Sequence, residues 1–315
     1  MVKLNVNSSF GFVLHGLNET FASKHILFAF VFSFYMFTIL VNLIVIVIIF
    51  LDKALHEPMY MFICNLCVNG IYGASCFYTK FLADMWSELN VVSYAECLAQ
   101  IFVIYSYTFA ELTSLSVMAH DRYVAICKPL NYRSFMTPWK VGKLILLTWL
   151  FPVLETTIGL ILTLRLPMCG KDIERLYCSN WAVVKLSCVD TTVNNLYGYI
   201  LMFYHVSQAT LIIISYFHII REVVKSEAQR NKFMQTCVPH LISLINFTAS
   251  VMFDSLYARH GARQSLLVLQ NILSVEFLVV PPLLNPVIYG MALSQIRIAQ
   301  FNTGKSIKIF FFCLG

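Results

Sequence analysis

Asp121 and Arg122 stand side by side in MAHDRYVAICKPLNY, where a long apolar run gives way to a basic, proline-containing turn. An acid and a guanidinium placed there can hold each other as an ion pair and release the guanidinium when their surroundings move. The plainer reading is an interfacial pair that reaches toward water. Glu111 lies eleven residues earlier in the same run, about three helical turns away. An ionisable group at that depth is a functional candidate. Ser255 and Arg259 are four residues apart, so a helix puts both on one face. A guanidinium beside a hydroxyl suits a carboxylate, which arginine takes bidentately. Arg259 has other uses too: pairing with Asp254 or Glu276, or anchoring at the interface with His260 and Arg263. Cys97, Cys169, Cys178 and Cys188 form a further group, and four cysteines can pair in three ways. No histidine accompanies them at metal-ligand spacing. Cys64 and Cys67 match CxxC but fall inside an apolar run, where they read as packing residues. No nucleophile–base set or phosphate-binding loop stands out, so the sequence speaks against an enzyme.

The elements that must position these groups follow from composition. The chain has 315 residues, of which 59% are hydrophobic and only 12% charged, with a mean hydropathy of +0.73. That leaves too little polar surface to cover a water-soluble globule, so apolar side chains must face lipid. Crossing about 30 Å of hydrocarbon takes roughly 20 apolar residues in a helix. Seven such runs occur, at about 26–51, 58–79, 98–118, 144–164, 194–220, 237–257 and 265–291. The expected fold is an all-α seven-helix membrane bundle over residues 26–291, between an outer segment 1–25 and a short basic tail 292–315. Residues 1–25 lack the pattern of a cleavable signal, so the first span is expected to act as its own anchor. Cys313 is third from the end, which does not fit prenylation.

Basic residues set the orientation. Lys128, Arg133, Lys140 and Lys143 follow the third run, and Arg221, Lys225, Arg230 and Lys232 follow the fifth. Such loops face the cytoplasm. The sequons at Asn7 and Asn18 point the same way, since glycosylation there requires an outside N-terminus. A third sequon, at Asn246, falls inside the sixth run and is expected to be inert. The four grouped cysteines then lie on the outer, oxidising face.

AHDRYVAICKPLNY resembles the signature of the odorant receptors within the rhodopsin-like G-protein-coupled receptors. LHEPMYMF, SYFHII, KFMQTCVPHL and PPLLNPVIYG resemble that family's other motifs in the same order, and Asn42 stands at its first-helix asparagine. FICNLCVNGIYG is closer to the fish branch. The resemblance implies disulfides Cys97–Cys178 and Cys169–Cys188. It implies a coupling end made by Asp121, Arg122, Tyr123, Tyr216, Asn285, Pro286 and Tyr289, with Pro281, Pro282 and Pro286 breaking the seventh helix into a hinge. The implied partners are a small odorant, membrane lipid and a heterotrimeric G protein with a stimulatory olfactory α subunit, with no role for nucleic acid. The implied place is the plasma membrane, in the cilia of olfactory sensory neurons. It also gives Glu111 a role in holding sodium with Ser114 or Asn285; the alternative is a protonated acid making one interhelical hydrogen bond. Two departures stand out: Asn69-Gly70 replaces the usual second-helix aspartate, and Thr248 stands where the family has a sixth-helix tyrosine.

The resemblance places the ligand between the outer halves of the third, fifth, sixth and seventh helices. Ile101, Ile104, Tyr105, Thr108 and Phe109 would face it from the third helix, and Ser255 and Arg259 from the sixth. An arginine at the mouth suggests an acidic or zwitterionic, water-soluble odorant. Ile104 stands about where an amine receptor carries an acid, which argues against amines. A transporter or channel is the rival reading, because Glu111, Glu155 and Glu276 could line a path. It calls for repeated halves or paired broken helices, and only the seventh run is broken by prolines.

Overall fold

The computed structural model describes residues 11–15, 21–87, 90–223, 227–260 and 267–292. The sequons at Asn7 and Asn18, Arg263 and residues 293–315 lie outside them, as do the side chains of Arg230, Lys232 and His260. Among the described residues, six helices are long and apolar enough to cross a membrane. They are α1 (Phe21–Leu51), α2 (Pro58–Asp84), α3 (Tyr94–Cys127), α5 (Pro138–Leu164), α7 (Thr192–Val223) and α8 (Glu227–His260). The seventh span is in two pieces, α9 (Leu267–Ser274) and α10 (Glu276–Ala292). Short helices α4 (Tyr132–Phe135) and α6 (Asn180–Val184) sit in the second inner and second outer loops. The architecture is the all-α seven-helix bundle, and its exposed apolar side chains, such as Phe30 and Phe203 at 68% and 77% exposure, are those lipid would cover.

Local sequence sets the helix starts. Pro58 and Pro138 open α2 and α5, where a missing N–H costs nothing. α3 begins with a capping box: Ser93 Oγ accepts from the Glu96 N–H, and Glu96 Oε2 accepts from the Ser93 N–H. Several helices overrun their apolar runs, most of all α3 and α8 at their inner ends. Hydropathy marks only the length immersed in lipid.

Polar side chains tie the helices together. Asn65 of α2 donates to Ser114 Oγ of α3 at 3.1 Å and to Thr148 Oγ1 of α5 at 3.2 Å, and it accepts from Trp149 Nε1 at 2.8 Å. One amide so clasps three helices. Cys64 and Cys67, on the same helix, are buried and unbridged.

The seventh span differs from expectation. α10 runs unbroken through Pro281, Pro282 and Pro286, and the interruption comes earlier, at Val275. Each proline lacks an N–H and frees the carbonyl four residues before it. Two of those carbonyls have found donors. Tyr107 of α3 donates to Phe277 O at 2.9 Å, and Asn42 of α1 donates to Pro282 O at 2.7 Å. Side chains of neighbouring helices replace the missing backbone bonds and keep the helix continuous.

The outer end is covered by a small sheet of order β2-β1-β3. β1 (Gly11–Leu14) pairs antiparallel with β2 (Val91–Ser93) and parallel with β3 (Asp172–Ile173). Cys97 at the head of α3 is bonded to Cys178, and Cys169 to Cys188. The N-terminal segment and the loop after α5 are thereby fastened over the bundle.

Asn42 is 1% exposed, so Asn42→Leu leaves Pro282 O without a donor. The expected loss is about 1–3 kcal/mol of stability. A lower thermal unfolding temperature of the detergent-solubilised chain, with lipid-facing Leu43→Ala as the neutral control, checks it.

Candidate functional site

A cavity of about 1050 Å³, including its open mouth, lies between the outer halves of α3, α5, α7 and α8. Ile101, Tyr105, Phe109, Ser255 and Arg259 line it, whereas Ile104 and Thr108 do not. Ile104 packs into the cluster that α3 shares with α2 and α10, and Thr108 Oγ1 donates to Ile104 O at 2.7 Å. The seventh span, expected as a wall, contributes no lining residue; α5 takes its place. The reason is aromatic filling: Tyr107, Tyr177 and Phe247, all under 2% exposed, pack with Phe277 where an opening toward α10 would be.

Arg259 stands at the outer rim. Its guanidinium lies 4.6 Å over the Trp181 ring and 4.2 Å over the Tyr199 ring, and donates to Asn195 Oδ1. Gly198 makes room for it, because a Cβ there would collide with Arg259 Nη2. Neither acid named as a possible partner takes it. Asp254 holds Arg175 from the outer loop at 2.7 Å, and Glu276 accepts from Asn246 Nδ2 at 3.0 Å. Among the described residues no carboxylate lies within ion-pair distance of Arg259.

Arg175 is 4% exposed and lies over the rings of Tyr177 and Tyr257. Burial alone would depress its pKa, but the Asp254 carboxylate, Tyr177 and Tyr105 together outweigh this and hold it above the usual value. Lys185 caps the rim by donating to Ala258 O at 2.7 Å and Arg259 O at 3.2 Å. Burial, with the Arg175 and Arg259 charges nearby, lowers the Lys185 pKa. Arg175 being paired with Asp254, the positive charge left at the mouth is that of Arg259 and Lys185.

Deeper in the bundle, Glu111 joins three helices. Its Oε2 accepts from Asn69 Nδ2 of α2 at 2.8 Å, and its Oε1 from Asn285 Nδ2 of α10 at 2.6 Å. Two interhelical bonds replace the single one expected. Ser114 is turned to Asn65 instead. This arrangement does not fit a sodium ion, which needs oxygen ligands where Glu111 meets amide hydrogens. Gly70 packs against Asn42 and Pro282, with no side chain to reach Glu111.

At the inner end Asp121 and Arg122 form a buried pair, 0% and 7% exposed, rather than reaching to water. Arg122 Nε donates to Asp121 Oδ2 at 3.0 Å, Nη2 donates to the same oxygen, and Tyr132 OH donates to Oδ1 at 2.7 Å. Tyr123 packs half-buried against the inner core. Tyr216 of α7 meets His240 Nδ1 of α8 at 2.7 Å, while His240 Nε2 lies 2.9 Å from Leu115 O of α3. A carbonyl only accepts, so Nε2 carries the hydrogen and Nδ1 accepts from the tyrosine. Tyr289 and His240 border a small void beside the Asp121–Arg122 pair.

A family profile for olfactory receptors matches residues 30–302. The chain belongs to the olfactory receptor family. The rat protein Olfactory receptor 1468 is 35% identical over 309 residues, covering 96% of each chain. The human Olfactory receptor 2C3 is 33% identical over 299 residues, 94% of this chain and 92% of its own. The human Olfactory receptor 52K2 is 36% identical over 270 residues, 84% and 85% of the two chains. This olfactory receptor is therefore an odorant-sensing, multi-pass membrane receptor and not an enzyme. Sequence reasoning missed several groups that shape its sites: Arg175, Trp181, Asn194, His205 and His240. His205 and His240 are polar residues in apolar runs, a signal that was there to use; Arg175 and Trp181 gain their places only by folding of the outer loop, and Asn194 by the start of α7.

The Arg175–Asp254 pair is testable by removing one side. Asp254→Ala leaves a buried guanidinium without its counterion and is expected to cost about 3–5 kcal/mol. Adding Arg175→Met should restore most of the lost thermal stability of the receptor.

Proposed function

We propose that the outer cavity receives a small odorant bearing a carboxylate, acidic or zwitterionic, and that Arg259 is its anchor. The observation that carries this reading is the rim guanidinium, held by aromatic faces and an amide and paired with no carboxylate among the described residues, with the Lys185 ammonium beside it. Ser255, one turn before it, supplies a hydroxyl in the same wall. Ligand closure is transmitted inward as rearrangement of α7 and α8 against α3, through the Tyr216–His240–Leu115 chain. Arg122 then leaves Asp121 and meets the α subunit of a stimulatory olfactory-type G protein, which raises cyclic AMP. The basic inner loops, with Lys128 and Arg133, meet the G protein and anionic lipid. The working place is the plasma membrane of olfactory cilia. Against a transporter, Glu111 and Glu276 each accept an asparagine amide and neither lines the cavity, so they form no path with Glu155.

Cyclic AMP accumulation in cells carrying the receptor and the olfactory G-protein α subunit tests this, with carboxylic acids, amino acids, amines and neutral odorants as probes. Arg259→Ala should raise the concentration needed for acids by about a hundredfold, corresponding to roughly 3 kcal/mol of charge-assisted bonding. Responses confined to neutral odorants and unchanged by that substitution would remove the acid anchor. Separately, Asp121→Asn should raise basal cyclic AMP, because it weakens the pair that holds Arg122. Arg122→Ala should abolish signalling at unchanged surface expression.

A further inference from the structure

The inner end of the outer cavity holds a second polar group that an acid anchor at the rim does not use. Glu155 of α5 and His205 of α7 both line it, with Oε2 and Nε2 3.4 Å apart. His205 Nδ1 lies 2.9 Å from Gln208 Oε1, and Gln208 Nε2 donates to Tyr204 OH at 3.1 Å. The amide is thereby oriented with its oxygen toward the imidazole, so Nδ1 carries the ring hydrogen and Nε2 presents a lone pair. Phe109 stacks on the ring at 4.4 Å and holds it in place. With the imidazole neutral, Glu155 Oε2 and His205 Nε2 are two acceptors facing each other at ion-pair distance, and neither has a hydrogen-bond partner. His205 is 7% exposed, and its nitrogen points at the cavity's acid rather than at water.

Other unpartnered atoms in the same wall sort by depth. Thr156 Oγ1 and Thr248 Oγ1 lie with Glu155 and His205 at the inner end, whereas Trp181 Nε1 and Asn194 Nδ2, which are donors, lie at the rim with Arg259. Asn194 and His205 are eleven residues apart on α7, and so are Thr248 and Arg259 on α8. Each interval is about 16 Å of helix rise. The wall between is apolar, with Leu112, Leu201 and Val251. An occupant matching this wall has an acceptor at its outer end, a hydrocarbon middle and a donor at its inner end.

We infer that the receptor's preferred ligand is an elongated ω-amino carboxylic acid of medium chain length, whose ammonium is received by Glu155 and His205. The inference rests on the proposed carboxylate anchor at Arg259 and adds a second pole to it. A buried acceptor without a donor is costly, and one ammonium supplies hydrogens to both atoms at once. A plain fatty acid fills the apolar middle but leaves both acceptors bare. An α-amino acid carries both charges at one end and reaches only one pole. An ω-hydroxy acid donates a single hydrogen and ranks between. The acid that reads the ammonium comes from α5, which is why Ile104 on α3 does not exclude an amino group here.

The test is ligand-induced stabilisation of the purified full-length receptor in lipid nanodiscs, titrated with octanoate, ω-aminooctanoate, α-aminooctanoate, octylamine and octanol. The wild-type chain should bind ω-aminooctanoate at least about tenfold more tightly than octanoate. Glu155→Gln should erase that preference while leaving octanoate within about twofold. His205→Phe, which keeps the ring stack and removes the acceptor, should do the same and stands in if Glu155→Gln fails to fold. Arg259→Ala should weaken both acids. Octanoate binding without preference for the ω-amino acid overturns the inner pole and leaves the acid anchor standing. Equal weakening of both acids by Glu155→Gln also overturns it, since that is the mark of a structural role. Binding of octanol alone, or of no probe, overturns the anchor and the inner pole together, whereas binding of octylamine without either acid overturns the anchor and with it the ω-amino acid.

Discussion

A proline inside a helix leaves a carbonyl with nothing to accept from, and in a membrane water cannot fill the gap. α10 carries three prolines, and the bundle is arranged around the carbonyls they free. Tyr107 reaches Phe277 O from α3, and Asn42 reaches Pro282 O from α1. Asn285, in the same helix, donates to Glu111, which also accepts from Asn69. α10 is therefore bound to α1 and α3 directly, and through Glu111 to α2, by polar contacts in a solvent that offers no substitute. Neither α7 nor α8 supplies the donor to Phe277 O or Pro282 O, so these two helices can shift without baring either carbonyl. Their link to α3 at the inner end is the Tyr216–His240–Leu115 chain, which can be exchanged without leaving proline carbonyls bare.

The same tethering explains where the cavity lies. With α10 held against α3 and the gap filled by Tyr107, Tyr177, Phe247 and Phe277, open space is left on the other side of α3, toward α5 and α7. Gly198 and Gly159 keep those walls low enough for Arg259 and Tyr197 to lean in. Six side chains along this wall, Glu155, Thr156, Trp181, Asn194, His205 and Thr248, carry a buried polar atom without a partner in the protein, which an occupant could supply.

Much of this was legible from the chain alone. The apolar runs gave the helices, and the charge bias gave their direction, because both are set by composition over windows of about 20 residues. Asp121, Arg122 and the four outer cysteines were visible because their types are rare in such surroundings. The cavity walls were less legible. Ile104 and Thr108 share a helix with true lining residues, and only the rotation of α3 against its neighbours separates them. The break in the seventh span was misplaced for a related reason: sequence shows which carbonyls prolines free, but not that Asn42 and Tyr107, far away in sequence, will satisfy them. The partner of Asp254 was missed because Arg175 sits 79 residues earlier, in a loop whose path is set by disulfides and a strand pairing.

The outer cover is held by two polar contacts of different character, one exposed and one buried. His15 and Asp172 meet at 2.8 Å with side chains 51% and 61% exposed, while Arg175 and Asp254 meet with side chains 5% and 9% exposed. Dissolved salt screens exposed charges beyond a Debye length of about 8–10 Å in ordinary physiological fluids and scarcely reaches the buried Arg175–Asp254 pair. The link between the outer loop and α8 is therefore insulated from the ionic strength of the medium. A receptor so built keeps its cover seated against α8 whatever the salt outside.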